Sequence, residues 1–329
     1  MTTAIRFHRT GEPEVLQYEE VSLSKPQRDE VRIRVDAIGL NRAEAMFRLG
    51  QYLEAPRLPA GIGYEASGTV IEAGSGVGEF RQGDAINVIP SFSMNQYSVY
   101  ARESIVPASA LVRRAANLDA VAAAAVWMPF LTAYGALVEY AHIKAGDSVF
   151  VNAASSSVGL AAIDIINSVG ATAIAGTRTQ EKFAELQQAG AEHVIATQEQ
   201  DLVAEVNKVT RGGVSVVFDP VAGPGVEKLA EATAPGGTIF VYGALSGEAT
   251  PFPLMTCLQK GLTLRGYTLF EITNVSERFK RGKEYVLRGL ESGDFKPTVD
   301  HIFPFEKIVA AHRYLESNSQ VGKIVIKVD

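Results

Sequence analysis

Between residues 29 and 40 the chain reads DEVRIRVDAIGL, with apolar and polar side chains alternating at period two, the pattern of a half-buried strand. The runs YEASGTVIEAGSGV (64–77) and GDAINVIP (83–90) are short β segments cut by glycines. Together they predict a compact β-rich domain, barrel-like or sandwich, up to about residue 110. One short helix is expected from Asn41 to Leu49. Past residue 115 the texture changes. Apolar strands at 147–152, 171–177, 193–196, 214–219 and 237–242 alternate with helical spacings at 157–170, 180–190, 199–210 and 225–233. Such alternation predicts an α/β domain, a doubly wound parallel sheet with helices on both faces. The uninterrupted apolar run VSVVF fits a sheet buried on both sides. The end of the chain returns to mixed character, with a helix at 285–295 and a final strand at 322–328.

The 329 residues predict two domains, because a domain usually takes roughly 100–200 residues. Their formal net charge of −6 argues against a broad nucleic-acid-binding face. Cys257 is the one cysteine; it excludes an internal disulfide framework and any Cys₂ or Cys₄ zinc site. That usage suits a reducing cytosol, and the opening MTTAIRFHRTG carries no apolar core of signal-peptide length, so cytoplasmic residence is expected. The uncharged stretch Ala120 to Val138 approaches the ~20 residues of a membrane span. With Pro129, Thr132, Tyr134 and Gly135 inside it, it reads as a buried core segment instead, since breakers in lipid need special compensation.

The first strand–helix turn of the parallel region is NAASSSVG (152–159). Set against G-x-G-x-x-G, its three glycine positions hold Ala154, Ser156 and Gly159. The context, after a strand and opening a helix, is that of a pyrophosphate-binding turn. There the backbone N–H groups and the helix N-terminus supply the attraction, and Ser155, Ser156 and Ser157 add hydroxyls. The competing reading is a simple serine N-cap. At the end of the next strand, GTRTQEK (176–182), no carboxylate lies between Ala171 and Gln180. The acid that would bind a ribose 2′-hydroxyl is missing, and Arg178 and Lys182 stand where a 2′-phosphate would be received. NADPH is therefore expected in preference to NADH.

LPAGIGYEASGTVIEAGSGVGEFRQGD (58–84), LTAYGAL (131–137), VFDPVAG (217–223), GGTIFVYGALSG (236–247) and VGKIVIKV (321–328), in this order and spacing, resemble the medium-chain dehydrogenase/reductase superfamily over nearly the whole chain. Within it the sequence is similar to the zinc-independent quinone oxidoreductase, zeta-crystallin-like branch. The resemblance implies a Rossmann domain over 123–265 and a β-rich GroES-like catalytic domain formed by 1–122 and 266–329. Zinc-dependent members hold their catalytic metal with two Cys and one His; the matching positions here are Asn41, Tyr64 and Met128. The four-Cys lobe is absent, and His8, His142, His193, His301 and His312 form no H-x₃-H pair, so no metal is expected. Glu65 reads as a buried structural carboxylate and Glu44 as a locally paired one.

The same resemblance implies cofactor contacts from Ser155, Ser156, Ser157, Val158, Arg178, Lys182, Tyr242, Gly243, Tyr267 and Lys323. Asn41 and Thr132 would lie near the nicotinamide, Tyr64 would bond the acceptor oxygen or supply a proton, and Tyr52 would stand over the pocket as a further catalytic candidate. Without a Lewis acid, acceptors that delocalise their own charge remain feasible. The expected reaction is hydride transfer from NADPH to a quinone or other conjugated carbonyl compound. Dedicated enoyl or 2-alkenal reduction, and NADPH binding with little turnover, are the alternatives. A small molecule is the expected partner, with neither membrane nor nucleic acid. GLTLRGYTL (261–269) corresponds to a strand that pairs across a two-fold axis in the superfamily, which implies a homodimer.

Overall fold

The computed structural model describes residues 1–328. The chain forms two compact units: Met1–Met128 together with the chain from Pro297 onward, and Pro129–Lys296.

In the first unit the strand Glu30–Gly39 is the hub. It pairs antiparallel with Glu65–Ala73, Glu103–Pro107 and Lys323–Lys327. Its alternation is realised as expected: Val31, Ile33 and Val35 are buried, while Arg32 and Arg34 reach Glu103 and Asp36 at the surface. Ala85–Val88 and Leu111–Arg113 extend the sheet on one side, and Val299–Pro304 pairs parallel with Lys323–Lys327 on the other. A smaller antiparallel sheet sets Thr2–Phe7 between Gln17–Val21 and Ala60–Gly61. The helix Arg42–Leu49 follows the hub strand, with the Glu44 carboxylate reaching back to the Asn41 N–H at 2.6 Å, one half of a capping box. This arrangement brings Asn41, Tyr64, Glu65 and Lys323 to one place.

The second unit is a six-stranded sheet in the order His193–Ala196, Thr172–Thr177, Ser148–Val151, Val214–Asp219, Thr233–Val241, Thr263–Gly266, parallel throughout. This is the doubly wound dinucleotide-binding order. Val149, Phe150 and Val151 are all fully buried, because helices cover both faces. Phe150, Ile174, Val217 and Ile239 from the strands pack with Leu202, Val206 and Leu229 from helices.

The structure differs from the sequence reading in three respects. The helix expected at 285–295 starts nine residues earlier, spanning Ser276–Ser292. Its charged opening SERFKRGKE offers Phe279 as its one buried large apolar side chain, while Val286 and Leu290 lie in the part already read as helix. Residues 266–296, expected in the β-rich domain, belong to the second unit: Phe295 stacks on Phe130 at 5.0 Å, and the Lys296 N–H donates to Asp164 at 2.8 Å. The first crossing lies at Met128 rather than 122, because the Trp127 and Met128 N–H groups are tied to Glu65.

The stretch Ala120–Tyr140 is long and apolar enough to cross a membrane by length and composition, with mean hydropathy 1.7, yet 78% of its most apolar part is buried inside the fold. It ends in a widened π turn, Gly135–Tyr140. A Cβ on Gly135 would fall 2.0 Å from the Tyr267 hydroxyl, so only glycine fits there.

Candidate active site

In the second unit the chain leaves the strand Ser148–Val151, turns through 152–156 and enters the helix Ser157–Ser168. A Cβ on Gly159 would lie 2.4 Å from the Ala154 carbonyl oxygen. The glycine therefore lets helix and turn close on one another, the role of the third glycine in a phosphate turn. Ser156 is the N-cap, its hydroxyl accepting from the Gly159 N–H at 3.0 Å. Ser157 and Val158 open the helix, and first-turn N–H groups have no partner within their own helix. Both readings of the serines thus coexist: one hydroxyl caps, while the turn as a whole presents donors at the positive end of a helix.

Arg178, Tyr242 and Gly243 follow directly on the carboxyl ends of the same parallel strands, where open α/β sheets bind ligands. Lys182 crosses to the turn, its ammonium donating to the Ser155 hydroxyl at 3.3 Å. Arg178 is exposed one residue past the strand Thr172–Thr177. Tyr242 stacks on Phe218 with ring centroids 4.0 Å apart, and its buried hydroxyl lies beside the Ser156 side chain. Beside it, a Cβ on Gly243 would meet the Pro220 oxygen at 2.7 Å. Asp219 closes the floor: it accepts from the Asn152 amide at 2.8 Å and from the Val221 and Ala222 N–H groups at 2.9 Å, and burial raises its pKa. Thr132 is buried on the helix Trp127–Tyr134. Tyr267 follows the last strand of the sheet, Thr263–Gly266. It is 2% exposed, packed edge-on against Tyr140 and Phe240 with its hydroxyl facing Gly135.

In the first unit a chain of buried polar groups links residues far apart in sequence. The Lys323 ammonium donates to Glu65 Oε2 at 2.6 Å and to Asn41 Oδ1 at 2.5 Å, with Lys323 and Glu65 side chains 1% and 0% exposed. Glu65 Oε1 accepts from the Trp127 and Met128 N–H groups at 2.6 and 3.0 Å. The Asn41 amide donates to the Gly39 carbonyl and to Glu44 Oε1, both at 3.1 Å. Two of the three Lys323 N–H donors are thus engaged within this network. Asn41 has spent both N–H donors, so only its oxygen retains capacity: it can accept from a carboxamide but cannot donate to an oxyanion.

Glu44 is fully buried, and burial pushes its pKa up to about 7, against the opposing pull of Lys323. The folded protein therefore holds this proton more tightly than the unfolded chain. The stabilisation is full below the ordinary carboxylate value and is lost as pH rises through about 7, a change of about 3 kcal/mol. Glu44→Gln is expected to flatten the fall in Tm between pH 5 and 8, read by thermal melts across that range.

Tyr64 is 1% exposed, ringed by Tyr52 at 6.2 Å and Phe92 at 5.8 Å. Burial, then the neighbouring Tyr52, raises its pKa strongly, so it keeps its proton. Its hydroxyl points at Glu54 Oε1, 3.5 Å away. Tyr52 is only half-buried; burial pushes its pKa up to about 12, while a hydrogen bond from Tyr64 pulls the other way. Of the two tyrosines, Tyr52 is the one with an outward side.

Zinc does not fit these residues. The three positions matched to zinc ligands hold an amide already bonded, a buried phenol and a thioether, and Glu65 is neutralised by Lys323. Among the described residues no three His, Cys, Asp or Glu side chains are placed to hold a metal ion. His312 is buried with its pKa pushed down to about 3 by burial and by Arg48 and Arg42.

A parallel sheet in this strand order with its capped, glycine-closed turn is the architecture of a dinucleotide-binding domain. The family described as zinc-binding dehydrogenase matches residues 157–283, and the alcohol dehydrogenase GroES-like domain matches residues 27–152. The quinone oxidoreductase of Lama guanicoe is 30% identical over 327 residues, covering 98% of this chain and 96% of that one. The 2-haloacrylate reductase of a Burkholderia species is 28% identical, covering 99% of each. The crystal structure of Escherichia coli quinone oxidoreductase complexed with NADPH superposes with a TM-score of 0.91 at 29% identity, covering 99% of each chain. The chain belongs to the medium-chain dehydrogenase/reductase superfamily, in its quinone oxidoreductase branch.

Proposed function

We propose that the protein is an NADPH-dependent reductase that passes hydride to a quinone or another conjugated carbonyl acceptor without zinc. The observation that carries this reading is the phosphate turn with an acid-free strand end beside it, where Arg178 and Lys182 stand in place of the ribose-binding carboxylate. When bound, NADPH supplies the hydride. The N–H groups and hydroxyls of Ser155–Ser157 hold the pyrophosphate, Tyr242 and Gly243 wall it, and Arg178 and Lys182 receive the 2′-phosphate. The Tyr52 hydroxyl donates to the oxygen on which negative charge develops, with Tyr64 behind it. Such a donor suffices for an acceptor that spreads its own charge.

Reduction of an activated alkene is the second reading. It is favoured by the likeness to a reductase of 2-haloacrylate, an alkene conjugated to a carboxylate. Loss of NADPH at 340 nm with 1,4-benzoquinone against an enone separates the two, and NADPH binding with no turnover on either acceptor defeats both. Arg178→Ala is expected to weaken NADPH about tenfold or more, the loss of one charge-assisted hydrogen bond, and to leave NADH nearly unchanged. Titrations with both coenzymes check this, and equal losses would remove the 2′-phosphate argument.

A homodimer belongs to the same proposal. Thr263–Gly266 is an edge strand of the parallel sheet, and Phe252, Leu254, Met255 and Leu258 are exposed just before it. An open edge beside an apolar face calls for cover, and a second copy would supply both. Met255→Lys is expected to shift the protein to a monomer on gel filtration with its secondary structure intact. Cytoplasmic residence, suited to one buried free thiol, completes the reading.

A further inference from the structure

The segment carrying Tyr52 has no regular secondary structure between Gln51 and Pro59, so something other than backbone pairing must hold it. Glu54 does so. Its Oε2 accepts from the Ser93 hydroxyl at 2.5 Å and the Asn95 amide at 3.0 Å, and its Oε1 accepts from the Met94 N–H at 3.0 Å. Asn95 completes the clasp from the other side, donating to the Ala55 carbonyl at 3.0 Å and accepting from the Arg57 N–H at 2.7 Å. Phe92, at the start of the same turn, packs on Tyr64. Glu54 Oε1 also faces the Tyr64 hydroxyl at 3.5 Å, and Tyr64 in turn lies against Tyr52. One half-buried carboxylate thus joins the Tyr52 loop, the 92–95 turn and the phenol beneath Tyr52.

We propose that Glu54 is a positioning residue for the acceptor, fixing the Tyr52 hydroxyl by clasping its loop to the Ser93–Asn95 turn. The proposal rests on the reading that Tyr52 bonds the acceptor. No charge moves through Glu54 and it touches no reacting atom. Its effect is to confine a loop that would otherwise sample many positions, and misplacing a donor by about 1 Å is enough to cost up to two orders of magnitude in rate.

The test is steady-state kinetics of the purified full chain with 1,4-benzoquinone and an enone, with NADPH affinity measured separately. Glu54→Ala is expected to raise KM for the acceptor about tenfold and lower kcat by a similar factor, with NADPH Kd unchanged. Glu54→Gln retains an acceptor for the Met94 N–H and is expected to recover most of the loss. A merely structural loop contact would not separate KM and kcat from coenzyme binding in this way. In the double variant Tyr52→Phe/Glu54→Ala, the loss should be no greater than in Tyr52→Phe alone, because both changes act through one hydroxyl. Asn95→Ala, which breaks the clasp while keeping the carboxylate, should reproduce the Glu54→Ala pattern should that variant fail to fold. Wild-type KM and kcat in Glu54→Ala, or multiplicative losses in the double variant, would overturn the proposal for Glu54. Unchanged turnover in Tyr52→Phe would overturn the acceptor-site reading beneath it, and the two failures are read from different variants.

Discussion

Lys323→Met is expected to cost about 3–5 kcal/mol of stability, the price of leaving one member of a buried ion pair without its partner. Glu65 and Lys323 are 0% and 1% exposed, so water cannot take the place of the lost ammonium. Two backbone N–H groups would still reach Glu65 Oε1, but Oε2 and Asn41 Oδ1 would each lose a charged donor. The methionine keeps most of the aliphatic volume, so the loss reports the charge rather than a cavity. Adding Glu65→Gln should recover a large part of it, since the carboxylate that lost its partner is then removed as well. Urea unfolding of the two single variants and the double checks this. A single variant within about 1 kcal/mol of the parent would show that the pair is not the keystone of the polar network.

The largest expected effect on turnover comes from Tyr52→Phe, a fall in kcat of about 10²-fold, the usual cost of removing one donor from a developing oxyanion. NADPH affinity should stay as it is. Tyr64→Phe is expected to cost less, about tenfold, because Tyr64 acts by holding Tyr52. Both phenols have raised pKa values, so neither ionises near neutral pH. The pH profile of kcat should therefore show no alkaline limb from these tyrosines below about pH 10. Stopped-flow single turnovers with preformed NADPH complex isolate the chemical step. Unchanged turnover in Tyr64→Phe would remove that residue from the mechanism, and a larger loss there than in Tyr52→Phe would reverse the order argued from burial.

The parallel sheet was readable from the chain because its strands are uniformly apolar and its helices are bounded by glycines. The strand–helix turn was readable because Gly159 occupies a close contact that only glycine satisfies. Arg178 and the missing carboxylate lie within one strand and its following turn, so their meaning is local as well. The polar network was not readable. Lys323 and Glu65 are 258 positions apart, and a lysine in the final strand looks like any edge residue until its pairing with Glu30–Gly39 turns it inward. Glu54 carried no signal either, since its partners sit about forty residues further on, in a loop with no pattern of its own.

By itself, then, the sequence determined the class of fold, the place of the glycine-closed turn that opens the parallel sheet's first helix, and the expectation of a 2′-phosphorylated coenzyme. Each of these depends on neighbours within one strand–turn–helix, where periodicity and small residues report geometry directly. Only the tertiary structure decided which polar groups are spent and which remain available: that Lys323 and Asn41 are bound to each other, that Tyr64 is buried behind Tyr52, and that residues 266–296 join the second unit. Hydrogen-bond capacity is consumed by whichever groups folding brings within about 3 Å, and in this chain those partners come from opposite ends.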